Sequence, residues 1–156
     1  MAPAPRFFED FTVGLRFRSF GAIAVTAERI KSFGAEFDPQ PFHVDDAAGR
    51  DSLFGGLVAS GWHTAAVAMR LIVDSDLGLS GLGAGVAVES MRWPVPVRAG
   101  DWLRVEGTVT ETRPSRSHAD RGIVKFHITV HNQRGEAALE ATHVVMALRR
   151  GDLPTR

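Results

Sequence analysis

Residues 60–73, SGWHTAAVAMRLIV, constrain the fold more than any other stretch of the chain. At helical spacing Trp62, Ala65, Ala66, Met69 and Val73 share one face, while Ala68, Leu71 and Ile72 fill much of the remainder. A helix that is apolar nearly all round is expected to be buried on most sides, and its small residues let other backbones approach. After it the pattern changes to period two. Leu103, Val105, Gly107 and Val109 alternate with Arg104, Glu106, Thr108 and Thr110. Val124, Phe126, Ile128 and Val130 alternate in the same way with Lys125, His127, Thr129 and His131. These are half-buried strands. Asn132-Gln133-Arg134-Gly135 reads as a hairpin turn into a last strand over 137–148, evenly apolar as a central strand is. Val86 and Val88, opposite Ala87 and Glu89, predict a further strand ending in the edge or bend of Trp93-Pro94-Val95-Pro96. One helix that needs cover and several antiparallel strands with one apolar face each predict an α+β fold, a sheet wrapped around a long central helix.

The remaining composition narrows the functional classes. A chain of 156 residues with 44% hydrophobic and 23% charged residues suits one globular domain, expected over 7–150 with flexible tails at 1–6 and 151–156. The formal net charge of zero supplies no field to attract nucleic acid. With no cysteine, disulfides, thiolate nucleophiles and Cys-ligated metals are excluded, and a cytoplasmic location is expected. The opening MAPAPRFFEDF lacks the basic and apolar regions of a signal peptide, and no run approaches a membrane span.

Upstream, residues 15–25 read as one strand, and Thr26 caps a helix whose Ile30, Phe33 and Phe37 share a face. Pro39 ends this helix and leaves Asp38 at its C-terminus, where the partial negative charge is expected to raise the carboxyl pKa. Pro39 and Pro41 predict a rigid extended loop over 38–43 rather than helix. Asp45 is expected to cap a short helix ending near Gly49, and Gly55-Gly56 to serve a tight turn. A carboxylate and an imidazole, Asp38 and His43, on one stiff loop suit acid–base chemistry. By itself, Asp38 is more simply an Asp-Pro turn residue.

The run FGAEFDPQPFHVD over 33–45, with Phe54-Gly55 and Val58-Ala59-Ser60-Gly61 downstream, resembles the MaoC-like dehydratases, hotdog-fold proteins related to (R)-specific enoyl-CoA hydratases. The family pattern is Asp, then Asn-Pro, any residue, His, any residue and Asp, followed by Phe-Gly and Ala-His-Gly. The opening FEDFTVG over 8–14 and the turn VRAGD over 97–101 look like the family too, so the resemblance covers roughly residues 7–149.

The resemblance implies a hotdog fold in which Asp38 and His43 activate a water that adds across a trans-2-enoyl thioester. It assigns a backbone N–H of Gly61, at the helix start, to the thioester carbonyl. A free N–H at a helix N-terminus suits the developing enolate charge. Gln40, Phe54, Gly55, Ser60, Trp62 and His63 are expected around the substrate, although for His63 a satisfied core histidine is the simpler reading. No metal or redox cofactor is implied, coenzyme A enters only with the substrate, and a homodimer in fatty acid metabolism is expected. The alternatives are a non-catalytic acyl-thioester binder and, last, a hotdog thioesterase, whose helix carboxylate is missing from 60–73. Three positions depart from the pattern. Gln40 replaces Asn, Ser60 stands where His is frequent, and Met69 stands where some hydratases carry Ser; the last two are expected to loosen the catalytic pair. Outside the motif, His127 and His131 read as solvated strand surface, and His118 and His143 have no evident role. Arg113, Arg116, Arg121 and Lys125 are charges suited to phosphate but more simply solvated.

Overall fold

The alternating residues of 101–148 lie side by side in one curved antiparallel sheet. The computed structural model describes residues 4–79 and 83–151; the outer parts of both expected tails, 1–3 and 152–156, lie outside them. The strands are β1 (Arg16–Arg18), β2 (Ile23–Val25), β3 (Gly83–Arg92), β4 (Asp101–Pro114), β5 (Arg121–His131) and β6 (Ala137–Leu148). Their order is β1-β4-β5-β6-β3, with β2 also pairing to β4. The helices are α1 (Ala27–Phe37), α2 (Pro41–Val44), α3 (Asp46–Arg50) and α4 (Gly61–Val73), after a 3-10 turn at Phe8–Asp10.

Leu103, Val105, Val109, Val124, Phe126, Ile128 and Val130 all point inward and are buried, as their spacing predicts. Gly107 holds an inward position because the Phe17 ring lies against its backbone. A Cβ there would fall 2.4 Å from Phe17 Cζ. Phe17 in turn meets Phe126 edge-on, with ring centroids 5.5 Å apart. Into this sheet α4 packs Val67, Ala68, Leu71 and Ile72, against β4 and β6.

Several expectations need correction. The sheet covers α4 on one side and leaves the other open. Trp62, Met69 and Val73 are 64%, 46% and 44% exposed. Val86 and Val88 on β3 are exposed as well, because β3 is an edge strand paired only to β6 among the described residues. The strand expected over 15–25 is broken in two. From Arg18 to Ile23 the chain advances five residues while its partner advances three, from Glu106 to Leu103, so the surplus loops out around Phe20. β3 begins at Gly83, three residues before the expected Val86, and β4 runs on to Pro114, where it pairs with Gly122. Among the described residues no helix is long and apolar enough to cross a membrane.

Candidate active site

Thr26 starts α1 as expected, its Oγ1 accepting the Arg29 N–H at 3.3 Å. The helix closes at Asp38, whose N–H donates to Gly34 O at 2.9 Å while its own φ of −150° leaves the helical region. From there the chain is extended only through Gln40. Pro41 then begins α2, so His43 sits on a helical turn rather than on an extended loop. The physical reason is that the fixed φ of proline suits the first helical position, where its missing N–H costs nothing. The His43 N–H donates to Gln40 O at 2.9 Å, and the turn carries the ring inward to 5% exposure. α2 rests on α1 at Gly34, where a Cβ would fall 2.9 Å from His43 O.

His43 Nδ1 lies 2.7 Å from the Val58 carbonyl oxygen. A carbonyl only accepts, so Nδ1 carries a proton, and the lone pair of the neutral ring is on Nε2. Nε2 faces Asp38 Oδ2 at 3.4 Å. The carboxylate is held at both oxygens. Gln40 Nε2 donates to Oδ1 at 2.8 Å, and Ser60 Oγ donates to Oδ2 at 2.6 Å. The Ser60 bond, then the Gln40 bond, hold the carboxyl below its ordinary value of 3.8; burial opposes them and His43 adds to them. The expected upward shift is therefore reversed, since two donors in contact outweigh a helix end whose partial charge faces solvent. Ser60, expected to loosen the pair, instead grips one oxygen of Asp38, and Gln40 holds the other.

Ser60 is fully buried and caps α4, its Oγ accepting the Trp62 N–H at 3.2 Å. The next residue, Gly61, has an N–H with no hydrogen-bond partner among the described residues. Its carbonyl accepts Trp93 Nε1–H at 2.9 Å, and the indole packs on the glycine so closely that a Cβ would lie 2.9 Å from Trp93 Cε2. Trp62 meets Trp93 edge-on.

These groups border a cavity of about 530 Å³. Asp38, Gln40, His43, Gly61 and Thr64 form its polar part. Phe42, Phe54, Val58, Trp62, Trp93 and the segment 94–97 form the apolar walls. Of the residues expected around the substrate, Gln40, Phe54 and Trp62 are in the wall. Ser60 lies behind Asp38, outside the wall. Gly55 serves the turn, with φ +63°, and Phe54 rather than Gly55 reaches the cavity. His63 is also outside the wall, stacked on Phe33 with centroids 4.9 Å apart. Among the described residues its Nδ1 has no hydrogen-bond partner, unlike a satisfied core histidine, and burial, then Arg29 and His43, push its pKa down. Met69 faces outward, away from the pair. Sequence reasoning missed Phe42, Thr64 and Trp93. The repeated Pro-X-Pro spacing at 39–41 and 94–96 was the available signal for Trp93, because both stiff segments border the cavity.

Elsewhere, Asp45 Oδ1 accepts Ala48 N–H at 2.7 Å and caps α3. His131 pairs with Glu106, and His127 meets Thr142. Arg121 pairs with Asp120, and Lys125 with Glu89 and Glu111, so these cations are already engaged. Among the described residues no three His, Asp or Glu side chains gather to hold a metal ion.

The comparisons agree with this architecture. The MaoC-like dehydratase from Rhodospirillum rubrum is 50% identical, superposes with a TM-score of 0.87, and is matched over 93% of this chain and 98% of its own. The unliganded R-hydratase PhaJ1 from Pseudomonas aeruginosa shares the hotdog fold at 22% identity and a TM-score of 0.75, over 96% of this chain and 94% of its own. A Bacillus subtilis protein, the uncharacterized YdeM, is 28% identical over 90% of this chain and 98% of its own length. The model of the MaoC like domain matches residues 12–131, and the chain belongs to that family.

Proposed function

We propose that the protein is an (R)-specific enoyl-CoA hydratase, running in reverse as a 3-hydroxyacyl-CoA dehydratase. The observation that carries this reading is the pairing of Asp38 Oδ2 with His43 Nε2 at 3.4 Å, beside the unpartnered Gly61 N–H in one cavity. An ionised carboxylate and a neutral Nε2 are both acceptors, and together they suit the two O–H bonds of one water. As the water oxygen bonds to the β-carbon of the enoyl thioester, its proton passes to Nε2. The π electrons move to the thioester oxygen, where the Gly61 N–H receives the charge. Nε2–H then returns a proton to the α-carbon, and the net change is addition of one water. Asp38, kept ionised, stabilises the transient imidazolium. The walls of Phe42, Phe54, Trp62 and Trp93 suit an acyl chain, and no cofactor enters this scheme.

The exposed apolar face of α4 and the free edge of β3 support a homodimer, which would cover both. Sedimentation of the purified protein tests it, and a monomer at micromolar concentration would remove it.

The functional test is loss of the conjugated thioester absorbance when the protein meets short trans-2-enoyl-CoA substrates. Hydration by the wild type and none by Asp38→Asn is the expected result. Binding without turnover at any chain length would make the chain an acyl-thioester binder, and release of free CoA thiol would make it a thioesterase.

A further inference from the structure

We propose that Ser60 is a positioning residue, fastening Asp38 to the start of α4 so that the acid–base pair and the Gly61 N–H are held as one unit. This role deepens the hydratase reading and rests on it for its catalytic meaning. Its structural basis is the direction of the Ser60 hydrogen bonds. A hydroxyl has one proton and two lone pairs. The Trp62 N–H donates to Ser60 Oγ at 3.2 Å, so a lone pair is used by the helix cap. The proton is directed to Asp38 Oδ2 at 2.6 Å. Ser60 is 0% exposed, so no solvent competes for either bond.

The same Oδ2 faces His43 Nε2, so Ser60 settles how far the carboxylate can rotate away from the imidazole. Its neighbour Gly61 starts the helix, borders the cavity, and has an N–H with no hydrogen-bond partner among the described residues. Without the Ser60 hydroxyl, Asp38 keeps only Gln40, an exposed side chain on the other oxygen. Oδ2 is then free to turn, and the water-holding gap between Asp38 and His43 loses its fixed width. Among the described residues His43 is the titratable neighbour acting on the Asp38 charge, and Ser60 and Gln40 are the neutral groups that bond it.

Two substitutions separate positioning from capping. Ser60→Ala removes the hydroxyl and weakens the helix cap, whereas glycine is a nearly adequate cap, so Ser60→Gly removes the hydroxyl with little capping loss. The Asp38 side-chain carboxyl is followed by carbon NMR across an acid titration in the wild type and both variants, a readout that needs no turnover. Hydration kinetics are then measured on the same samples. Positioning requires the Asp38 titration to move upward in both variants. It also requires kcat to fall by about tenfold to a hundredfold in both, with KM little changed, the size of a lost hydrogen bond to a charge. An unmoved Asp38 titration in both variants overturns the proposal. So does a kcat loss that follows melting temperature, large in Ser60→Ala and absent in Ser60→Gly. If the wild type hydrates no enoyl thioester but the titration moves in both variants, the hydratase reading fails and the Ser60–Asp38 fastening stands.

Discussion

Two Pro-X-Pro segments face the same cavity, and they do opposite work. Residues 38–41, Asp-Pro-Gln-Pro, carry the polar wall, while residues 93–96, Trp-Pro-Val-Pro, carry an apolar one. Proline stiffens both in the same manner. What differs is the hydrogen bonding. Asp38 is gripped by Ser60 and Gln40 and faced by His43. Trp93 has one polar tie, to the Gly61 carbonyl, and otherwise packs on glycine and Trp62. The stiff backbone is thus common to both walls, and side-chain partners determine which wall presents held polar groups and which presents packed apolar ones.

Substitutions in the two walls should therefore separate in kinetics. The largest effect belongs to the polar wall. Asp38→Asn or His43→Gln should lower kcat by about 10²- to 10⁴-fold with the fold retained by circular dichroism, the range for loss of a positioned acid or base. Either variant within threefold of wild type (roughly 0.65 kcal/mol at RT ln 3) would remove the distinction between the walls.

Gly61→Ala probes the contact between them. Its Cβ would press on Trp93 at 2.9 Å, so either the indole or the helix start must shift. A shift of that kind costs about 10²-fold in kcat/KM. Adding Trp93→Ala to Gly61→Ala should recover part of that loss, and steady-state rates of the single and double variants check it.

Trp93→Ala alone should act mainly on binding. KM is expected to rise about tenfold for longer acyl chains, with kcat changed less. A kcat loss as large as that of His43→Gln would place Trp93 in the chemistry and erase the contrast.

The smallest effect lies behind the walls, in stability. Burial depresses the pKa of His143, and burial with Arg29 and His43 depresses that of His63, from an ordinary 6.5. Below 6.5 the unfolded chain takes up protons that the folded chain refuses, so stability falls as pH drops toward the folded values. Asp38 is lowered from 3.8 and stays ionised in both states down to the carboxylate range, so it adds nothing to the slope between pH 7 and 5. Urea midpoints should decline from pH 7 to 5, and His143→Gln should flatten part of that decline. An equal slope in the variant would mean that His143 does not contribute.

The sheet was readable because period two records burial directly. Each of Leu103, Val105, Val124, Phe126 and Ile128 occupies the inward position that its spacing assigns. Gly107 shows the limit of that code, since its inward place depends on the Phe17 ring, far away in sequence. The α4 helix shows a second limit. Its composition calls for cover all round, but one chain has a single sheet and can cover only one face. Phe42 and Thr64 went unread because no local pattern marks a residue that borders a space made by other segments, and the Pro-X-Pro signal beside Trp93 gains its meaning only once both stiff segments border one cavity.

By itself the sequence determined a curved antiparallel sheet around one helix, the cap at Thr26, and the presence of an acid and an imidazole on a proline-stiffened segment. Periodicity, caps and prolines act within a few residues, so they can be read without coordinates. The tertiary structure decided the rest: that Pro41 turns His43 inward, that Val58 fixes its tautomer, and that Ser60 and Gln40 hold Asp38 ionised. Hydrogen bonds such as Ser60 to Asp38 join groups 22 positions apart, and a pKa depends on those contacts rather than on the helix end that sequence alone suggested.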